Sequence, residues 1–204
     1  MVVKQLKIVL ATRNIDKIRE IEDALSGLQY DMLTLDNFPA VPDIVEDGTT
    51  IEQNALKKAN VVHNITGELS LADDTGLEVD FLDGKPGVLS SRFAGENATY
   101  DDNVEKLLSL MKGVPAEKRT ARFRCVIALV NRSIEQTFEG VIEGVILDKK
   151  RGTQGFGYDP VFLVPATGWT FAEMPLDYKN RISHRGLALK KARTFLDELA
   201  AAKR

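Results

Sequence analysis

The sequence predicts an α/β fold with a mixed β-sheet, and three observations lead to that prediction. A strand pattern at 7–11, a helix pattern at 17–25 and a second strand pattern at 30–35 form a β-α-β opening, which joins its strands through a right-handed crossover. Apolar residues alternate over 121–130, and a polar turn leads into an extended segment at 134–147, which predicts a hairpin. The sheet that holds both should therefore be mixed, with helices flanking it.

The helices are predicted from apolar side chains that recur every three or four residues. They cover residues 17–25, a segment from Thr49 or Thr50 to about residue 66, residues 101–111 and residues 184–201. Gly27 ends the first helix, and either threonine can cap the second. The side chains expected to face the core are, in chain order, Ile18, Ile21, Leu25, Ile51, Ala55, Ala59, Val62, Val104, Leu107, Leu108, Met111, Ala188, Ala192, Phe195 and Leu199.

The composition is that of a soluble globular protein. The chain has 204 residues, 44% of them hydrophobic and 28% charged, which is enough for one substantial core or two closely joined lobes. We predict a single domain over 1–204, because no repeat, low-complexity tract or linker interrupts it. The net charge is −3, without a long basic run, so polymeric DNA or RNA is not expected as the main ligand.

Neither a signal peptide nor a membrane span is predicted, because the apolar run at 8–11 has only the length of a strand. We therefore expect a cytoplasmic protein. The single cysteine, Cys125, lies in an apolar run, which favours a small core residue over a nucleophile.

The stretch at 70–95 carries adjacent carboxylates, Asp73 and Asp74, after a short apolar entry. Thr75, Gly76 and an alternating segment follow, so the pattern predicts a strand that ends in an acidic turn and a second strand that leaves it. One interpretation is a solvated turn. The other is a site for a divalent metal and a phosphate chain, because small residues crowd the pair and the following backbone is tight.

A second polar cluster lies where the first strand gives way to the first helix. Exposed amides at a helix start, a hydroxyl, an amide side chain and a lysine together suit a polyphosphate. The segment lacks the glycine spacing of a P-loop or a dinucleotide-binding fingerprint, and the alternative interpretation is a simple helix cap. The candidate residues are Thr12, Arg13, Asn14, Ile15, Asp16 and Lys17.

The remaining candidates are acidic, aromatic and basic residues at other junctions. Glu46 closes the loop at 36–48, and neither it nor the Asp73-Asp74 pair has a neighbouring His or Cys, so magnesium or manganese is expected rather than zinc. Two late loops are predicted at 156–159 and 179–185, the first offering an aromatic platform and the second a cluster at a helix start, where the dipole favours an electron-rich group. Their candidate residues are Phe156, Gly157, Tyr158, Asp159, Lys179, His184 and Arg185.

Several segments resemble one known family, and they occur in the same order over nearly the whole chain. They read ATRNIDKIREIEDAL, EDGTTIEQNALKKA, LADDTGLEVDFLDGKPGVLSSRFAG, GFGYDPVF and KNRISHRGLAL. Together they resemble the inosine/xanthosine triphosphate pyrophosphatase family, also called the Ham1-like family. The resemblance implies hydrolysis of ITP, dITP and XTP to a monophosphate and pyrophosphate. It also implies a requirement for Mg²⁺ (with Mn²⁺ as the alternative ion), a long central sheet between two lobes with the site in their cleft, and a homodimer.

The resemblance also implies roles for individual residues. Thr12, Asn14 and Lys17 would hold the triphosphate, and Thr75 would contact substrate. Asp74 would be the general base and a metal ligand, with Glu46 as a further ligand. Arg13 departs from the glycine that the family often has. The implied base-binding residues are Phe156, which would stack on the purine, Asp159, which would contact it, and Lys179, His184 and Arg185, which would line the pocket for its 6-oxo edge.

Chemistry supports these roles and leaves two alternatives. Cleavage at the α-phosphorus needs charge neutralisation and an oriented water, which a metal and a carboxylate supply. Lysine and arginine carry only donors, so they suit a 6-oxo purine and oppose the amino group of adenine. A noncatalytic nucleotide sensor would need no acidic cluster. A pyrophosphatase for other modified nucleotides, such as methylated pyrimidines, is disfavoured by Phe156 and the Ser183-His184-Arg185 block.

Overall fold

The structure, a computed structural model, describes residues 6–202. Within them one sheet of eight strands has the order β2-β1-β3-β5-β6-β7-β8, with β4 paired to β3 alone. The strands are β1 Leu6–Leu10, β2 Tyr30–Leu33, β3 Leu69–Val79, β4 Pro86–Gly87, β5 Thr120–Asn131, β6 Ile134–Ile146, β7 Phe162–Val164 and β8 Trp169–Thr170. The helices are α1 Ile15–Ala24, α2 Ile51–Thr66, α3 Tyr100–Leu110, α4 Leu176–Ile182 and α5 His184–Ala201.

The predicted α/β class and the mixed sheet are confirmed. β1 pairs in parallel with both β2 and β3, whereas the remaining pairs are antiparallel. The β5–β6 hairpin is continuous from Thr120 opposite Val145 to Asn131 opposite Ile134. The single-domain prediction covered 1–204, of which 1–5 and 203–204 lie outside the described residues; the division into two lobes stays a prediction.

Side-chain caps fix where the predicted helices begin. Asn14 accepts from the amides of Asp16 and Lys17 before α1, and Thr50 rather than Thr49 accepts from Gln53 before α2. Ser183 does the same before α5. These side chains accept hydrogen bonds from amides that have no partner within the helix. Each cap therefore determines the residue at which its helix begins.

Helices cover both faces of the sheet. α1 and α5 pack on one face, against Leu71 and Ile127. α2 packs on the other face, against Ala72 and Val126. Neighbouring residues of β3 thus point to opposite cores, as expected for a strand. Cys125 is fully buried on the α5 side, as predicted, and burial raises the pKa of its thiol to about 12. Along α5, Leu189 and Leu196 are fully buried, whereas Phe195 and Leu199 are only partly so.

The predicted break at the Asp73-Asp74 pair is wrong. β3 runs unbroken from Leu69 to Val79, and both aspartates are buried within it. The strand continues because every residue from Ser70 to Val79 has a partner on β5. What ends at this point is the neighbouring strand β1, whose pairing with β3 stops at Leu10 opposite Leu71.

The predicted loop at 179–185 is also wrong. Lys179 lies in the short helix α4, Ser183 is the only residue between the two helices, and His184 and Arg185 form the first turn of α5. α4 was not predicted because its buried position is a lysine rather than an apolar residue. Among residues 6–202, no helix has the length and apolar character needed to cross a bilayer.

Candidate active site

A pocket opens where β3 loses its neighbour. Beyond Leu71 the β1 side of β3 is unpaired until β4 joins it at Leu77 and Glu78. α1 begins close to this gap, at the carboxyl end of β1, which is where open α/β sheets bind ligands. Because the gap is an edge, side chains from both faces of β3 reach one pocket.

Most of the predicted site residues line this pocket. Those that do so are Asn14, Lys17, Glu46, Asp74, Thr75, Phe156, Gly157, Tyr158, Asp159, Lys179, His184 and Arg185. The structure also adds residues that the sequence did not single out, and those used below are Phe123 and Tyr100.

Four predicted residues of the first polar cluster do not line the pocket. The Thr12 hydroxyl accepts from the amide of Asn14. Arg13 turns towards the loop at 41–43, where Nη2 donates to the carbonyl of Val41 at 2.9 Å. Ile15 is exposed and Asp16 lies near Arg19. The cluster therefore brings Asn14 and Lys17 to the pocket, and of the other four side chains only Thr12 bonds within the turn.

The first buried cluster joins Asp74 and Glu46 through a lysine. Lys58 Nζ lies 2.9 Å from Asp74 Oδ1 and 2.5 Å from Glu46 Oε1. Burial raises the pKa of Asp74, and the charge of Glu46 adds to this against the opposing charge of Lys58. Asp74 is thus the more basic of the neighbouring aspartates. Lys58 was missed, although it lies on the inward face of α2 between Ala55 and Val62, where a lysine is a signal in itself.

The second cluster holds Asp73 on the opposite face of β3. Lys17 Nζ lies 3.1 Å from Asp73 Oδ2, and Arg185 donates to the same oxygen from Nε at 3.1 Å and from Nη2 at 3.0 Å. Burial alone would raise the pKa of Asp73, but the charges of Lys17, Arg185 and Lys58 outweigh it and hold that pKa well below its usual range. Asp73 is therefore a fixed anion that anchors cations.

A third cluster extends this ion-pair chain to the aromatic end of the pocket. Glu20 accepts from Arg185 Nη1 and, at 2.7 Å, from Lys179 Nζ. Lys179 Nζ also lies 2.5 Å from Asp159 Oδ2, which accepts from the amide of Phe156 at 2.9 Å. Burial would raise the pKa of Glu20, but the two cations lower it. Glu20 was missed, although it follows Lys17 by three residues and so shares its helix face.

The rings of Phe156 and Phe123 and the uncharged His184 form the aromatic wall of the pocket. Lys179 Nζ lies 4.9 Å from the ring centre of Phe156. His184 is buried and stacks on Phe123 with centroids 4.5 Å apart and an interplanar angle of 11°. Burial and the charges of Arg185 and Lys179 lower the pKa of His184 well below its ordinary value, so the ring is neutral. Its Nδ1 is buried and has no hydrogen-bond partner among residues 6–202.

The first turn of α5 is held directly against its neighbours by two glycines. A Cβ placed on Gly140 of β6 would lie 2.0 Å from the carbonyl oxygen of His184. A Cβ on Gly186 would lie 1.8 Å from the carbonyl oxygen of Asn180 in α4. No side chain fits at either position, so the backbone that carries His184 and Arg185 is seated on the sheet and on α4.

The acidic groups that line the pocket do not form a metal site by themselves. Within the described part of the chain, no group of three or more His, Cys, Asp or Glu side chains could hold an ion by itself. Glu46 and Asp74 are nevertheless joined through Lys58 at the pocket wall, each with one carboxylate oxygen bonded to that lysine. Mg²⁺ is commonly held by one or two carboxylates together with substrate phosphates.

Comparisons with known proteins agree with this fold. A family model described as the Ham1 family matches residues 8–195. A dITP/XTP pyrophosphatase of Geobacter sulfurreducens is 56% identical over 90% of this chain and 92% of its own. A dITP/XTP pyrophosphatase of Desulforamulus reducens is 51% identical over 95% and 97%. The structure of a HAM1 protein from Coxiella burnetii superimposes with a TM-score of 0.87 at 43% identity, covering 95% of this chain and 99% of that one.

Proposed function

This chain belongs to the Ham1 family, and from that premise we propose that it hydrolyses the non-canonical purine triphosphates dITP, XTP and ITP to a nucleoside monophosphate and pyrophosphate. The observation that carries the proposal is the gap beside β3, where the carboxylate of Asp74, the ammonium of Lys17 and the aromatic ring of Phe156 line one pocket. The curated relatives that share about half of its residues are dITP/XTP pyrophosphatases. Hydrolysis of this kind cleanses the nucleotide pool of non-canonical purine triphosphates.

In the proposed reaction, Asp74 accepts a proton from the attacking water. Its raised pKa suits this role, because a base works best when its pKa approaches the working pH. Lys17 and Asn14 would hold the triphosphate, and Thr75, which accepts from Arg185 Nη2 at 3.1 Å, would contact it. Thr12, Arg13, Ile15 and Asp16 would act through the shape of the turn rather than by direct side-chain contact.

The proposed metal is Mg²⁺, with Mn²⁺ as the alternative, held by Glu46 and Asp74 together with phosphate oxygens. When bound, it would neutralise charge on the triphosphate. Lys58 holds the two carboxylates close together, and its own pKa is raised by Asp74, Asp73 and Glu46 against the effect of burial. The metal site is thus preorganised by a residue that cannot itself bind the metal.

We propose that the protein selects the purine base with those N–H donors of Lys179 and Arg185 that make no hydrogen bond within the ion pairs. A lysine ammonium has three donors and an arginine guanidinium five. Contacts with described residues use two on Lys179 and four on Arg185. A 6-oxo group would accept the remaining donors, and neutral His184 offers a further contact. The 6-amino group of adenine would face donors and leave them unpaired, which disfavours ATP strongly.

The proposal is tested by product analysis. The purified protein is incubated in Mg²⁺ with dITP, XTP, ITP, ATP and GTP, and pyrophosphate and orthophosphate are both measured. We expect pyrophosphate from the first three and almost none from ATP. Release of orthophosphate would place the cleavage at a terminal phosphate, and tight binding without turnover would identify a sensor instead.

Replacing Phe156 by alanine tests the base platform. We expect KM for dITP to rise by roughly 5- to 150-fold with little change in kcat, because an aromatic stacking contact is worth about 1–3 kcal/mol. The matched control is Phe81→Ala, which removes a ring that is 48% exposed outside the pocket. An unchanged KM would show that Phe156 packs within the protein rather than on the purine.

The alternatives of a sensor or of an enzyme for methylated pyrimidines receive no separate support. Glu46 and Asp74 lie beside Lys58 as a metal-dependent enzyme would need, and Lys179 and Arg185 present donors suited to a 6-oxo purine. The homodimer implied by the resemblance stays a prediction, which light scattering on the purified protein would test.

A further inference from the structure

We propose that Tyr100 is a further substrate-binding residue of this pocket, and that it contacts the sugar of the nucleotide. The inference rests on the proposed function, because it adds a residue to the same bound substrate. It concerns the part of the nucleotide between the triphosphate and the base, to which none of the residues above was assigned.

The position of Tyr100 joins the two ends of the pocket. Its hydroxyl oxygen accepts a hydrogen bond from Asn14 Nδ2 at 2.8 Å. Its ring centre lies 5.7 Å from that of Phe156, with the planes inclined by 43°. Asn14 stands at the proposed phosphate end and Phe156 at the proposed base end. A group that touches both lies where a nucleotide carries its sugar.

The support under Tyr100 is rigid. It is the first residue of α3, whose start is closed by reciprocal hydrogen bonds between Thr99 and Asp102. Asn103, the least exposed of these polar residues, accepts from the amide of Ala94 at 2.7 Å and donates to the carbonyl of Ser91 at 3.0 Å. The helix start is thus fastened to the loop beside the pocket, and the tyrosine ring is presented from a fixed base.

The ring and the hydroxyl each have capacity left for a ligand. Tyr100 is 42% exposed although it lines the pocket, so a bound molecule would cover apolar area on its face. The hydroxyl accepts from Asn14, and its own proton has no acceptor among residues 6–202. A sugar offers both complements: ring carbons for the aromatic face and oxygens for the proton.

Fragments of the substrate separate a sugar contact from its neighbours. Hypoxanthine, inosine and inorganic triphosphate are each measured as inhibitors of dITP hydrolysis, with wild-type protein and with Tyr100→Phe and Tyr100→Ala. For Tyr100→Ala we expect the Ki of inosine to rise by roughly fourfold for each sugar carbon that the ring covers. For Tyr100→Phe, which loses only the hydroxyl, we expect a rise of about two- to tenfold. The Ki values of hypoxanthine and triphosphate should change less than that of inosine, because Tyr100 contacts Phe156 and Asn14 but not these fragments.

The matched control is Leu110→Ala, which removes a 47% exposed side chain from the last residue of the same helix. It should leave all three Ki values unchanged. A rise in the Ki of hypoxanthine or of triphosphate as large as the rise for inosine would place Tyr100 on the base or on the phosphates and overturn the proposal. So would unchanged Ki values throughout. Pyrophosphate release from dITP by the wild type, measured in the same assay, tests the proposed function separately.

Discussion

Replacing Asp74 by asparagine is expected to lower kcat for dITP by about 10²–10⁴-fold, which is the usual contribution of a general base. Asparagine keeps the shape of the side chain and an oxygen that can accept from Lys58, so the fold should persist. Rates of pyrophosphate release and the thermal unfolding midpoint measure the two effects. The matched control is Asp47→Asn, which changes an exposed aspartate outside the pocket and should leave the rate unchanged.

The pH dependence and the Mg²⁺ dependence distinguish the two roles proposed for Asp74. Because the pKa of Asp74 is raised, the acid limb of kcat/KM should lie above the ordinary pKa of an aspartate, and activity should fall as the pH drops through that raised pKa. The limb should vanish in Asp74→Asn. Full recovery of the rate at high Mg²⁺ would show that Asp74 serves only as a metal ligand, and a fully active variant would remove it from the reaction altogether.

Replacing Asp73 by asparagine should instead reduce stability, by about 3–5 kcal/mol at pH 7, since it leaves buried cations without their partner. Lys17 and Arg185 both bind the same Asp73 oxygen. The change in the free energy of unfolding is measured by urea denaturation. The matched control is Asp177→Asn, which breaks a pair with Arg181 in which both side chains are well exposed, and it should have almost no effect.

The stability difference between the wild type and Asp73→Asn should also depend on pH, and the direction of that dependence follows from the pKa of Asp73. The folded pKa of Asp73 is depressed, so its contribution to stability is complete above the unfolded value of about 3.9 and is lost as the pH falls below that value. The difference between wild type and Asp73→Asn should therefore be constant from pH 7 to about pH 5 and shrink below pH 4. A difference that stays the same down to pH 3, or one below 1 kcal/mol at pH 7, would contradict the buried ion-pair assignment.

Local periodicity was enough to predict most of the fold. The helix at 184–201 has the predicted bounds, and the hairpin closes where the polar turn indicated. These elements bury a regular set of apolar side chains, so their sequences carry the pattern of the structure. The short helix α4 carries no such pattern, because the side chain it buries is Lys179.

The acidic strand shows why the site was harder to predict than the fold. Two adjacent aspartates normally end a strand in water, and the sequence around them offers no cation. The cations that permit burial come from other elements: Lys58 is 16 residues away from Asp74, and Arg185 is 112 residues away from Asp73. Most of the residues that line the pocket were found from their motifs, whereas Lys58, Glu20, Phe123 and Tyr100 were not singled out.

The tight contacts at Gly140 and Gly186 make activity depend on two positions outside the pocket. Any side chain at Gly140 must lift the turn that carries His184 and Arg185 away from β6. In a library of random substitutions, both glycines should therefore tolerate as little change as the pocket itself. A scan of all single substitutions would therefore group these two glycines, which have no side chain, with the residues of the active site.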